Sequence, residues 1–185
     1  MDRHSVNRYS ATQRALHWLV ALLVLTLIPV AFWMADRGEA GLWDGLTGTL
    51  YASHKAVGFL VLWLVVWRVV LRFTRRAPAY PDSVSPTVQR LAHAVQRLIY
   101  LLLIAMTLLG WAGVTAFPAR SIAGGISLPA MPWVPVDQAL AKQLLEIHGW
   151  FAIALCILIA LHIAGALKYK LIDRDGVFEH MTSGR

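Results

Sequence analysis

Charge is scarce in this chain, cysteine nearly absent, and the polar–apolar alternation of half-buried strands missing from its long apolar runs. Only 15% of the 185 residues are charged, whereas a water-soluble domain carries about a quarter. With 58% hydrophobic residues and a mean hydropathy of +0.58, most of the chain must face lipid or pack inside a lipid-facing bundle. The single cysteine, Cys156, excludes an intrachain disulfide and leaves no Cys-x-x-Cys-His attachment motif, so any prosthetic group is held without covalent bonds. Cys156 lies within an apolar run and reads as a small packing residue rather than a redox thiol. No internal repeat or low-complexity tract occurs, and the length suits one domain. The N-terminal apolar stretch is too long for a signal-peptide core and has no small-residue cleavage site.

Four segments are long enough to cross a hydrocarbon core of about 30 Å, which takes roughly 20 helical residues. They run near residues 13–34, 51–73, 87–116 and 139–167. Lipid offers backbone groups no hydrogen-bond partners, so only helices or a closed barrel can span it, and the missing alternation selects helices. The expected fold is therefore an all-α, up-down-up-down membrane bundle. Ser10 and Gln13 form a capping-box pattern before the first span. Ser85-Pro86 places a proline where a helix start tolerates it. Pro29 is expected to kink the first helix or loosen its last turns.

A net charge of +7 taken alone would suit nucleic acid, but the basic residues collect at the ends of the apolar runs. Thirteen Lys and Arg lie on the side that holds both termini, and only Arg37, Lys55, Arg120 and Lys142 lie on the other. The positive-inside rule then puts both termini in the cytoplasm. The longest connection, residues 117–138, is rich in Gly and Pro yet still apolar. It reads equally as a lid folded over the bundle or as a spacer in the headgroups.

Histidines inside spans are expensive and tend to be functional. Five of the seven lie in or near the spans, whereas His4 and His180 lie in polar tails. His17, His93 and His162 form an inner layer, each about 10 Å in from the cytoplasmic end at 1.5 Å per residue. His54 opens the second span from the outer side and His148 comes early in the fourth, which makes an outer pair. His148 and His162 are fourteen residues apart, so they share one helix face within about 40° and stand roughly 21 Å apart. That spacing suits two stacked haems, one near each surface, in a bundle core built as helical cofactor sites commonly are. Ala21, Gly58, Gly149 and Gly165 sit beside these histidines and leave room for a flat macrocycle, although small residues also serve ordinary helix packing. Zinc fits less well, because no acid lies at the depth of either layer. Spacing alone does not choose between His17 and His93.

These features together resemble the bacterial cytochrome b561 family. The resemblance rests on Arg8-Tyr9-Ser10-Ala-Thr-Gln13-Arg14-Ala-Leu-His17-Trp18, on His54-Lys55-Ala-Val-Gly58, and on His148-Gly149-Trp150 with His162 four turns on. It covers nearly the whole chain. It implies two non-covalent b haems with bis-histidine ligation, His17 and His162 on the inner iron, and His54 and His148 on the outer one. It leaves His93 near the inner haem, as a quinone- or proton-handling residue.

Two histidines per iron fill both axial positions, which favours outer-sphere electron transfer over O₂ binding. Arg14, Arg68, Arg72 and Arg97 lie at the inner end. Arg14 and Arg68 are the candidate partners of haem propionates, with snorkelling to the headgroups as the plainer reading. By resemblance the electron acceptor is ubiquinone, with Ser10, Arg75, Arg76 and His93 as its candidate site. Lys55, beside His54, is the candidate to attract an anionic one-electron donor such as superoxide. Two functional classes follow. One is an autonomous oxidoreductase of the bacterial inner membrane that passes electrons from an outer donor to ubiquinone. The other is an electron-transfer subunit linking quinone to a soluble redox protein such as a dehydrogenase.

Overall fold

The computed structural model describes residues 8–75, 77–174 and 177–182. Four long helices dominate it: α1 (Ala11–Glu39), α2 (Gly45–Thr74), α3 (Pro86–Ala116) and α4 (Gln138–Lys168). All four are long and apolar enough to cross a membrane, and among the described residues there is no strand, only an isolated bridge between Ser121 and Ser127.

Three of the four long helices, α1, α2 and α4, start where a polar side chain satisfies a free N–H group. Ser10 accepts from the Gln13 amide at 3.3 Å, while the Gln13 side chain takes the Ser10 amide at 3.1 Å, completing the capping box. Asp44 caps α2 through the Thr47 amide and Asp137 caps α4 through the Leu140 amide, both at 2.9 Å. Pro86 occupies the first turn of α3. The helix α1 is not ended by Pro29, because helical structure continues ten residues further, to Glu39.

One boundary departs from expectation in a way that matters. Helix α2 begins at Gly45 rather than near Tyr51, so His54 does not open the helix but lies nine residues inside it. Gly45, Gly48 and Thr49 are weak helix formers, and they hide a start that the Asp44 cap establishes. His54 and His148 thereby reach matching depths, ten and eleven residues beyond their N-caps Asp44 and Asp137.

Helices α3 and α4 pack most closely, α1 lies along α2, and α2 touches α3, while α1 and α4 barely approach each other. The tight α3–α4 seam depends on two glycines. A methyl group at Gly113 would lie 2.6 Å from the Leu145 side chain, and one at Gly110 would lie 3.1 Å from the His148 ring. Small residues let membrane helices approach this closely. The buried core is small: Val20 and Val24 from α1, Val61 and Val65 from α2, Leu103 from α3 and Leu155 from α4. On α4, Leu155 lies midway between the two histidines, so this core forms an apolar septum between the two histidine levels. Large side chains such as Leu22, Trp63, Leu101 and Ile157 point outward, where lipid takes the place of a protein core.

The turn between α1 and α2 is closed by a compact polar cluster. Fully buried Thr47 donates its hydroxyl to the Leu42 carbonyl at 2.6 Å and accepts from Arg37 Nε at 2.8 Å. Arg37 also pairs with Asp44 at 2.6 Å. The Thr47 amide and the Arg37 guanidinium hold the Asp44 carboxyl down at about 2. A depressed carboxyl contributes stability above its unfolded value and loses it as pH falls through the folded one. The turn should therefore be unchanged between pH 7 and 5 and weaken only as pH falls from 3.8 towards about 2. Thr47→Val keeps the volume but leaves the Leu42 carbonyl and Arg37 without this partner, a loss of roughly 1–3 kcal/mol. Denaturant unfolding in detergent measures it, and an unchanged midpoint would show that the cluster does not hold the turn.

Candidate functional site

The helix α4 contributes one histidine at each level, and each meets a ring from a different helix. His148 faces His54 of α2 with ring centroids 6.2 Å apart and planes at 82°. His162 faces His17 of α1 at 6.3 Å and 70°. Two imidazoles on one metal, each with a bond of about 2 Å and about 1.1 Å from nitrogen to ring centre, have centroids about 6 Å apart. Both pairs match that separation.

The protons on these rings are partly set by their neighbours. His148 Nδ1 lies 2.7 Å from the Met106 carbonyl oxygen. A carbonyl only accepts, so Nδ1 donates and Nε2 keeps its lone pair. This is the outer-shell contact that orients a metal-binding histidine and raises its basicity. His54 Nδ1 is buried without a hydrogen-bond partner, a costly condition for a ring in an apolar bundle. Beside these rings there is open space: a methyl group added at Gly58, Gly149 or Gly165 would meet nothing within 4 Å. The residues present thus fit a flat, metal-centred group clasped between helices.

At the termini end the gap between α1 and α4 opens into a cavity of about 510 Å³. Its volume lies within the range of about 300–1,000 Å³ usual for small-molecule sites. His17 and His162 line it, with apolar walls that include Val20, Ala21, Val24 and Ile159. His93, Tyr80, Arg72 and Arg68 also line it, with the Tyr80 ring edge-on to His93 at 5.4 Å. Burial raises the Tyr80 pKa, so its phenol keeps its proton. The short turn Phe178–Met181 crosses the open end, where the Met181 carbonyl accepts from Trp18 Nε1 at 2.8 Å.

The structure sorts the remaining candidates. Arg68 lies inside the cavity, donating to the Gln13 carbonyl at 3.2 Å and the Tyr100 hydroxyl at 3.0 Å, with its guanidinium 3.3 Å from His17 Nδ1. Arg14 is not among the residues lining the cavity and donates to the Tyr9 carbonyl at 2.7 Å. Ser10 is engaged as a cap, and neither it nor Arg75 lines the cavity, whereas Gln13 does. Arg76 lies outside the described residues. Lys55 does not project freely beside His54, since its ammonium donates to the Ala119 carbonyl at 2.7 Å. The connection it holds lies back on the bundle: Trp111 Nε1 donates to the Pro129 carbonyl at 2.8 Å and the Met131 amide to Thr115 at 3.0 Å. Sequence reasoning missed Met106, Gly110, Tyr80, Tyr100 and the Phe178–Met181 turn. Of these, only Gly110 carried a signal, as a glycine in the middle of an apolar helix.

Comparison with known proteins finds similar sequences along nearly the whole chain. A family model described as prokaryotic cytochrome b561 matches residues 8–184. "Cytochrome b561 homolog 2" of Escherichia coli (strain K12) is 28% identical over 180 residues, covering 94% of this chain and 90% of that protein. "Probable superoxide oxidase CybB" of Yersinia pestis is 27% identical over 174 residues, covering 94% and 95%. "Cytochrome b561 homolog 1" of E. coli (strain K12) is 25% identical over 180 residues, covering 97% and 99%.

Lys55→Met removes the tie between α2 and Ala119 while keeping an apolar stem of similar length. Amide hydrogen exchange of residues 119–128 should become several-fold faster, with α2 unaffected. Unchanged exchange would show that Arg120, which donates to the Leu128 carbonyl at 2.8 Å, holds the loop by itself.

Proposed function

This chain belongs to the prokaryotic cytochrome b561 family of haem-b membrane electron-transfer proteins, and from that premise we propose that it carries two b haems between an outer one-electron donor, superoxide, and ubiquinone. The observation that carries the reading is the pair of histidine couples at 6.2 and 6.3 Å. His54 and His148 hold the outer haem, and His17 and His162 the inner one. The asymmetry of basic residues orients the cavity end towards the cytoplasm of a bacterial inner membrane.

Haem held between the histidines of each pair would supply one-electron oxidation and reduction. The protein's part is orientation, exclusion of water and charge. The Met106 carbonyl keeps the His148 proton on Nδ1, and Gly110 gives that ring its place. Lys55 is turned to the Ala119 carbonyl, so its charge acts on an approaching anion from beneath the outer connection rather than as a free side chain beside His54. Arg72 lies where an anionic propionate or a quinone oxygen would find a partner.

At the inner end His93, Tyr80 and Arg72 share the cavity with the inner pair, and they suit quinone better than Ser10 or Arg75 does. The reaction balances: two superoxide anions each lose one electron and leave as O₂, while one quinone gains two electrons and takes two protons from the cytoplasmic side. His93 and Tyr80 stand where those protons pass. Haem at both histidine pairs would supply storage for single electrons until the quinone takes two. One of the relatives is named a probable superoxide oxidase, which accords with this donor.

The test is an optical titration of the purified chain. Superoxide should reduce b-type haem and a ubiquinone analogue should reoxidise it, while His54→Ala and His162→Ala should each halve the haem content. Haem that ignores superoxide but is reduced by a co-purifying dehydrogenase would instead make the chain an electron-transfer subunit. Gly110→Ala, whose methyl would lie 3.1 Å from the His148 ring, should lower outer haem occupancy at least several-fold and spare the inner haem. Equal loss from both sites would contradict the assignment of His148.

A further inference from the structure

The two histidine pairs are alike in separation and unlike in electrostatic setting. Around the inner pair, Arg68 is half-buried in the bundle and points into the cavity that His17 and His162 line. The Gln13 carbonyl and the Tyr100 hydroxyl hold its guanidinium at 3.2 and 3.0 Å, and its central carbon lies 5.7 Å over the Tyr100 ring. No carboxylate pairs with Arg68 among the described ion pairs. A ligating His17 carries its proton on Nδ1, so Arg68 then rests on Gln13 and Tyr100 and acts through its charge. Arg72 lines the same cavity, its guanidinium donating to the Tyr9 hydroxyl at 3.1 Å.

Around the outer pair the balance runs the other way. His148 donates to the Met106 carbonyl, which makes its imidazole more electron-rich and favours the oxidised metal. The cation nearest in sequence is Lys55, whose ammonium is turned to the Ala119 carbonyl. Across the whole chain the termini side carries 13 basic and 5 acidic residues, and the opposite side 4 basic and 5 acidic. Exposed members of these sets are screened by salt. A guanidinium inside the bundle is screened far less, so Arg68 outweighs the surface charge.

A fixed positive charge stabilises the reduced state of a neighbouring redox group, and an electron-rich ligand destabilises it. Resting on the di-haem reading above, we propose that Arg68 is a positioning residue for the electron. It makes the inner haem the higher-potential site, so that an electron entering at the His54–His148 pair runs downhill to the His17–His162 pair. The direction of flow is thus built into α2, which carries His54 at one level and Arg68 fourteen residues on at the other. It also opposes the membrane potential, which is negative inside and resists inward movement of an electron.

The test is a spectroelectrochemical titration of the full-length holoprotein in detergent, with haem content measured on the same samples. Wild type should show two one-electron steps, and His162→Ala should retain only the lower one. Arg68→Gln should lower the higher step alone and cut the inner-to-outer ratio in which a single electron distributes at least tenfold, a shift of about 59 mV or more. Arg68→Lys should keep most of the separation. The inference is overturned if His162→Ala keeps the higher step, or if Arg68→Gln moves neither step or only the lower one. Fewer than two haems in wild type overturns the di-haem reading itself. Should Arg68→Gln fail to bind haem, the step retained by His162→Ala still decides the order of potentials.

Discussion

Four imidazoles stand in pairs across an apolar bundle, and their nitrogens have few protein partners. One, on His148, is fixed by a backbone carbonyl, and another, on His54, is buried without a partner. In lipid such groups cost several kcal/mol unless something satisfies them. On the proposed reading a metal between the rings would take the other nitrogen, Nε2, of each imidazole, and much else in the bundle suits that arrangement. The Gly110 and Gly113 seam brings α3 close enough for Met106 to reach His148. The sparse contact between α1 and α4 leaves the space that His17 and His162 line.

The same arrangement explains why so little of the protein is buried in itself. The six-residue core of Val20, Val24, Val61, Val65, Leu103 and Leu155 is small for four helices of about thirty residues each. On α4 it is centred on Leu155, between the two histidine levels. Apolar side chains separate the two histidine levels, and the rest of the protein's stability is left to lipid and helix caps.

The long apolar runs, the Ser10–Gln13 box and the Ser85-Pro86 start were legible in the sequence, because hydropathy and caps are local signals. So was the sharing of one face by His148 and His162, since helical periodicity alone decides it. The start of α2 was not legible: two glycines and two threonines follow Asp44 within five residues, and their low propensity hid a cap whose effect depends on a backbone amide. The choice of His17 rather than His93 as partner of His162 needed the packing order of four helices, which no spacing within one helix contains. Met106 acts through its carbonyl and Lys55 through a loop 64 residues away. Neither contact leaves a trace in residue type. Arg68 was visible as an inward-facing cation, but its supports, Gln13 and Tyr100, come from other helices.

The ring planes within each pair stand at 82° and 70°. Nearly perpendicular axial imidazoles leave the iron orbitals almost degenerate and give ferric low-spin haem a strongly anisotropic resonance. Low-temperature EPR of the oxidised protein, integrated against protein concentration, therefore tests the central claim directly. The account predicts two low-spin ferric centres per chain, both with a large leading g value. A single centre, or a high-spin signal from an iron lacking one histidine, would contradict it.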